Sequence, residues 1–264
     1  MITTWLYVPG DRPERFGKAV ASGADVVIID LEDAVAPARK EEALAATLAY
    51  LPSASGVVHV RVNDLATARG QADLAALAGM PGLAGLRVPK VESARALDAV
   101  PVPVHALLES AAGIVNAVEI AAHPKVAGLA LGEQDLRAEL SMTSEAAMDH
   151  LRLQVVLAAA AAGLPPVAMS VYPDVRDEEG LLASCARGRA MGLFGRTAIH
   201  PRQVPVIRRA FRPSEEEAAR AREVVEAAEA AGETGAIALP DGRFVDAPVL
   251  ARARRTLSLY DALA

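Results

Sequence analysis

The chain is 264 residues long, 52% hydrophobic and 23% charged, with 27 basic against 33 acidic side chains and a formal net charge of −6. That mild acidity, with only 3% aromatic residues, argues against a nucleic-acid surface, since phosphate tracking needs a basic face and base stacking needs exposed rings. The lone Cys185 excludes an intramolecular disulfide framework and a Cys-based zinc site. No leader pattern is visible over Met1 to Tyr7, and no apolar run nears the roughly 18 residues of a membrane span, so the expectation is a cytoplasmic protein with neither nucleic acid nor membrane as partner.

Short runs rich in Val, Ile and Leu recur at Trp5 to Val8, Val26 to Leu31, Val57 to Val62, Gly85 to Pro89, Val104 to Leu108, Gly128 to Gly132, Val167 to Val171 and Arg196 to Ile199. Ala-rich segments of helical character separate them, which is the alternation of parallel β/α units. Eight runs are what a closed (β/α)8 barrel of roughly 250 residues needs. Neither G-x-G-x-x-G nor G-x-x-x-x-G-K-[ST] occurs, so the phosphate fingerprint common in doubly wound sheets is missing.

After His200 the character changes. Ile207 to Phe211 closes a last barrel helix, and Ser214 and Glu217 stand at capping-box spacing for a new one. Ala236 to Leu239 and Arg243 to Val245 flank Pro240-Asp241-Gly242, a hairpin signal, and Asp246-Ala247-Pro248 opens a final helix to about Leu263. The expected organisation is α/β: residues 1–212 form a TIM barrel, and residues 213–264 form a C-terminal helical and hairpin lid or oligomerisation extension.

Nearly every predicted strand carries polar residues at its C-terminal end: Gly10-Asp11-Arg12, Asp30-Leu31-Glu32-Asp33, Arg61-Val62-Asn63, Lys90, Glu109, Glu133-Gln134-Asp135, Tyr172-Pro173-Asp174 and His200. In a parallel barrel those ends share one rim, where such folds place their active sites. Period-two alternation sets His59, Arg61 and Asn63 on one face of the third strand, so Arg61 can point along the barrel axis. His105 lies four strand steps below Glu109, about 13 Å, too far to share a metal with it, and His123 and His150 are isolated. Carboxylates are the better ligands. Glu109 and Asp135 end neighbouring strands and offer two hard oxygen donors for Mg²⁺, with vacancies for water and substrate. Asp30 and Glu32 share a face of the second strand, where they either support metal-bound water or form salt bridges with Arg61 or Lys90. At the first rim position Asp11 and Glu14 stand at capping-box spacing, and Arg12, Arg15 and Lys18 rise along one side of the following helix. That is either an anion site or an ordinary basic surface helix.

Taken together, Val8-Pro-Gly-Asp-Arg-Pro-Glu-Arg-Phe, Ile29-Asp-Leu-Glu-Asp-Ala-Val, Arg61-Val-Asn, Val88-Pro-Lys, Leu108-Glu-Ser-Ala-Ala-Gly, Leu131-Gly-Glu-Gln-Asp-Leu, Val171-Tyr-Pro-Asp, Ile199-His-Pro and Phe244-Val-Asp-Ala-Pro resemble the citrate lyase beta-subunit-like branch of the HpcH/HpaI aldolase superfamily, which includes malyl-CoA and citramalyl-CoA lyases. The resemblance implies a (β/α)8 barrel, a homo-oligomer with a trimer favoured, and Mg²⁺-dependent cleavage or formation of a β-hydroxyacyl-CoA such as malyl-, citramalyl- or citryl-CoA, with acetyl-CoA and an oxo acid as the other side of the reaction. Residue by residue, it makes Glu109 and Asp135 the metal ligands and Arg61 the contact to the oxygen where charge develops. It makes Arg12, Arg15 and Lys18 contacts to the CoA phosphates, with Pro9 and the turn Ile199, His200, Pro201 lining the thioester arm. Asp246 matches a carboxylate delivered into a neighbouring subunit's site, and with Arg61 and Glu32 it completes the catalytic candidates. Met169-Ser170 stands where many relatives have Asp-Gly, and Arg196 where Lys is frequent, so the acyl part of the substrate is left open. Alternatives are a malyl-CoA thioesterase, a citrate lyase beta subunit acting on an acyl carrier protein thioester, a CoA-independent pyruvate aldolase, and a catalytically silent binding barrel.

Overall fold

The computed structural model describes residues 2–232, 235–239 and 241–263. They fall into two compact units, one spanning Ile2–Ile207 and one beginning at Arg208.

The first unit is built on seven parallel strands: β1 (Thr4–Pro9), β2 (Val26–Asp30), β3 (Val58–Arg61), β4 (Leu83–Val88), β5 (Val104–Leu108), β6 (Val126–Leu131) and β7 (Arg196–Ala198), in the spatial order β6-β5-β4-β3-β2-β1-β7. All five residues of β2 are buried, as expected of a parallel strand covered on both faces. The eighth expected strand, Val167 to Val171, is replaced by a shorter feature: two single-residue parallel bridges, Ala130 with Ala168 and Met169 with Arg196. Pro165 and Pro166 remove two amide donors before it, and the Ser170 hydroxyl turns to the Leu131 carbonyl at 2.5 Å, so little ladder can form. These bridges still set residues 168 and 169 between β6 and β7.

The curl of the sheet follows from side chains on strands that are not neighbours. Trp5 on β1, His59 on β3 and His105 on β5 meet edge to face, with centroids 5.3 Å apart for Trp5–His59 and 4.9 Å for each of the other two pairs. Glycines on the strands between and beside them make the room. A Cβ on Gly85 would come within 2.8 Å of His59 and one on Gly128 within 2.6 Å of His105. Below the polar rim the sheet thus curls over a packed aromatic layer, with Val26, Ile28 and Ala168 against Trp5.

Helices α1 (Phe16–Val20), α2 (Lys40–Tyr50), α3 (Ala68–Leu77), α4 (Ala111–Val115), α5 (Ala117–Ala121), α6 (Glu133–Glu139), α7 (Glu145–Ala161), α8 (Glu178–Ala190) and α9 (Gln203–Phe211) follow the strands in turn. The capping box expected between Asp11 and Glu14 does not form. Arg12 occupies the cap of a 3-10 turn over Pro13–Arg15 without any side-chain cap, because buried Asp11 pairs instead with Arg39 at 2.9 Å. A single ion pair to a guanidinium outcompetes one backbone N–H for that carboxylate.

The second unit holds α10 (Glu215–Ala231), an antiparallel pair β8 (Ala236–Ala238) and β9 (Phe244–Asp246), and α11 (Ala247–Ala262). The capping box of Ser214 and Glu217 is present in both directions. Ala221, Val224, Leu239, Val245 and Ala253 form its core. Of the expected hairpin turn, Pro240 lies outside the described residues. No described helix is long and apolar enough to cross a membrane.

Candidate active site

At the C-terminal ends of the strands of the first unit lies a cavity of about 390 Å³. Arg61, Glu109 and Asp135 all line it, together with Asp30, Asp33 and Glu133. Its position is the one that the polar strand ends anticipate.

Arg61 is held from three sides. Its Nε and Nη2 donate to the two oxygens of Asp30 at 2.8 and 2.6 Å, and Nη1 donates to Asp33 at 3.2 Å. Nη1 also stands 3.0 Å from Glu32 Oε2, but off the hydrogen-bond direction, so that buried oxygen has no hydrogen-bond donor. Asp30 shapes the same loop by accepting the amides of Glu32 and Ala34 at 2.9 and 3.2 Å. Both carboxylates form salt bridges: Asp30 with Arg61, and Glu32 with Arg61 and with Lys90 Nζ at 3.1 Å. The planar fork of Arg61 suits this bidentate contact with Asp30 and fixes the guanidinium at the cavity wall.

Glu109 follows β5 directly and is buried. Its Oε1 accepts the Lys90 amide at 2.9 Å, which Lys90 presents by taking a left-handed conformation, φ 52°. That conformation is uncommon for a residue other than glycine, and such strain collects at functional sites. On its other side Glu109 lies against Gly132, where a Cβ would meet the Glu109 Cβ at 2.4 Å. Gly132 precedes α6, whose first turn carries exposed Asp135. Glu133 is committed elsewhere, buried against Arg152, whose Nε donates to it at 2.9 Å. Burial, and then the negative charges of Glu32 and Asp135, push the Glu109 carboxyl up to about 7. Burial likewise raises Glu32, against the opposing charge of Arg61.

This donor set fits a hard divalent cation. Two carboxylates, one buried and raised by its neighbours' charge, are relieved by a dication. Among the described residues no group of three or more His, Cys, Asp or Glu comes together as a metal cage. A pair of protein oxygens suits Mg²⁺, which usually keeps several ligands from water or substrate.

Of the expected CoA-contacting residues, only Ile199 lines the cavity. Arg12, Arg15 and Lys18 are exposed, and α1 has only five residues. Pro9 ends β1. Of the turn Ile199, His200, Pro201, only Ile199 lines the cavity. Gln203 secures this turn by accepting the amides of Ile199 and His200 at 2.9 and 3.3 Å and donating to the Tyr172 carbonyl at 2.9 Å. Asp246 belongs to the second unit and caps α11, accepting the Val249 amide at 3.1 Å. Asn63 leaves the axis and donates through Nδ2 to Asp73 at 2.6 Å.

Sequence reading overlooked Tyr7, Arg87 and Thr197, which line the cavity together with Ser170, already singled out beside the acyl part of the substrate. For Arg87 the signal was available: it shares the period-two face of Gly85 in Gly85-Leu86-Arg87-Val88, a charge inside an apolar strand.

The barrel-like parallel sheet with an acidic and arginine-lined cavity at its strand ends defines a class, and the comparisons give the family: the chain belongs to the HpcH/HpaI aldolase/citrate lyase family, whose model matches residues 3–201. Its relatives include a (3S)-malyl-CoA thioesterase of Cereibacter sphaeroides, 40% identical over 98% of this chain and 94% of the relative. A citrate lyase subunit beta-like protein of Mycobacterium tuberculosis is 42% identical over 96% of this chain and 93% of that one. Among solved structures, CitE of M. tuberculosis in complex with magnesium, acetoacetate and coenzyme A superposes with a TM-score of 0.88 at 39% identity, covering 98% of each chain.

Proposed function

We propose that this chain is a Mg²⁺-dependent carbon–carbon lyase that cleaves or forms a β-hydroxyacyl-CoA of the malyl, citramalyl or citryl kind. The observation that carries the reading is the pairing of Glu109 with Asp135 at the mouth of the cavity that Arg61 also lines. Glu109 and Asp135 would hold the ion, which when bound supplies positive charge against an oxyanion. Arg61, locked by Asp30, offers a preorganised cation at the same wall without reorganising during reaction. In the cleavage direction a base takes the hydroxyl proton, the C–C bond breaks, and its electron pair passes to the acetyl thioester as an enolate, leaving an oxo acid. Asp246 of a neighbouring subunit is the proposed base, which requires a homo-oligomer, a trimer on this reading. Glu32 acts through Arg61 and Lys90 as a positioning residue. Arg12, Arg15 and Lys18 would meet the CoA phosphates, and Pro9 with Ile199, His200 and Pro201 the thioester arm.

The two bridges at Ala168 and Met169 support reading the sheet as a closed (β/α)8 barrel over residues 1–212. Residues 213–264 are read as the lid or oligomerisation extension, and the protein as cytoplasmic.

A second reading is thioester hydrolysis, favoured by the 40% identity to (3S)-malyl-CoA thioesterases. Mass spectrometry of products from malyl-, citramalyl- and citryl-CoA separates the two. Acetyl-CoA with an oxo acid supports the lyase, whereas free CoA with an intact hydroxy acid overturns it in favour of hydrolysis. Turnover of a carrier-protein thioester in place of CoA would move the assignment to a citrate lyase subunit.

A further inference from the structure

Two cations line the cavity, Arg61 and Arg87, and they are in opposite states. Every nitrogen of Arg61 meets a carboxylate of this chain. Arg87, its Cα partner across β3 and β4, is 3% exposed, yet among the described residues no carboxylate pairs with it and its Nε has no hydrogen-bond partner. What surrounds it is aromatic, with the Tyr7 hydroxyl as its side-chain hydrogen-bond partner. Its guanidinium lies 5.1 Å from the Trp5 ring centroid and 5.8 Å from that of Tyr7. His105 faces it in register across β4 and β5.

Ring faces attract a cation, but they accept none of the in-plane N–H bonds of a guanidinium. A methionine would fill the same space without the cost of burying an unpaired charge. The cavity has room for a short acyl group rather than a nucleotide, at about 390 Å³, so the missing anion is small. A carboxylate matches the planar fork of two N–H donors. We propose that Arg87 is a specificity-determining binding residue for a second carboxylate on the acyl part of the substrate, one beyond the carboxylate beside the hydroxyl. The acyl class is then a dicarboxylate whose oxo-acid product carries two carboxylates. The position of Arg87 inside the strand, below the rim carboxylates, reserves this contact for the end of the acyl group furthest from the thioester. The inference rests on the proposed function for its account of the acyl group, and its test is a binding measurement that does not need turnover.

Calorimetry with oxaloacetate and pyruvate, each with Mg²⁺, compares two oxo acids that differ by one carboxylate. The expected wild-type result is oxaloacetate binding about 30-fold more tightly, the size of a charge-assisted hydrogen-bonded contact. In Arg87→Met that preference should fall to within about threefold with pyruvate affinity retained, and Arg87→Lys should keep part of it. Equal affinities in the wild type overturn the assignment without any variant. Loss of both acids together in a folded Arg87→Met would make Arg87 a structural prop and also overturn it. A retained oxaloacetate preference with no carbon–carbon cleavage of any thioester would sink the lyase reading while leaving Arg87 as the anchor.

Discussion

Lowering the pH should weaken this fold through two histidines buried in their neutral form. Burial, and then the nearby Arg87 charge, hold His59 down to about 4 from 6.5. His105 is pushed down to about 2 by burial, by His59 and by Arg87. Their Nδ1 atoms have no hydrogen-bond partner, so a proton there would find no acceptor. A depressed folded value means that the unfolded chain takes up a proton the native state refuses. The stability is therefore complete above pH 6.5 and lost as pH falls below it, at about 1.4 kcal/mol per pH unit for each histidine. By pH 4.5 the loss reaches about 2.5 kcal/mol from each, about 5 kcal/mol together, a large share of the stability of a typical domain. Urea unfolding between pH 7.5 and 4.5 measures it, with fluorescence of Trp5, the only tryptophan, as a reporter in ring contact with both histidines. His105→Leu should shift the intercept and also flatten the acid limb by the slope of one proton. The carboxylates titrate alike in both proteins and cancel in the comparison. Parallel pH profiles for wild type and variant would refute the reasoning.

Glu109→Gln and Asp135→Asn should each lower Mg²⁺ affinity strongly in calorimetry with little change in CoA binding, and unchanged Mg²⁺ affinity in both would remove the ligand assignment. Gly128→Ala should cost roughly 1–3 kcal/mol in chemical denaturation by overpacking, since its Cβ would drive into the fixed His105 ring at 2.6 Å; a neutral result would mean that the aromatic layer yields freely. For Asp246, mixed oligomers of Asp246→Asn and Glu109→Gln chains should regain part of the activity that each parent lacks. Full activity of Asp246→Asn alone would leave it as the cap of α11, with a stability cost of about 1 kcal/mol on removal to alanine.

What the sequence by itself determined is local and periodic. Apolar runs placed seven of the eight expected strands to within a residue or two, with Val104–Leu108 coinciding at both ends, while Val167 to Val171 makes only two single-residue bridges. Because every parallel strand ends on the same side, the polar residues after those runs could be collected into one rim, and Arg61, Glu109 and Asp135 do line one cavity. The capping box of Ser214 and Glu217 was legible for the same reason, since both partners lie within one turn. Contacts between distant segments were decided only by the tertiary structure. Asp11 had a donor within reach in sequence, the Glu14 backbone N–H at capping-box spacing, and took Arg39 instead. Glu32 meets Arg61 and Lys90, two residues from different strands, through the approach of those strands. Arg87 looks in sequence like one charge in a strand. That it is buried on aromatic rings with no carboxylate to meet it depends on Trp5 and Tyr7 crossing from β1 to β4. Periodicity fixes which face a side chain takes, but a charge is paired or left unpaired by whatever the curled sheet brings to that face, and no local pattern carries that information.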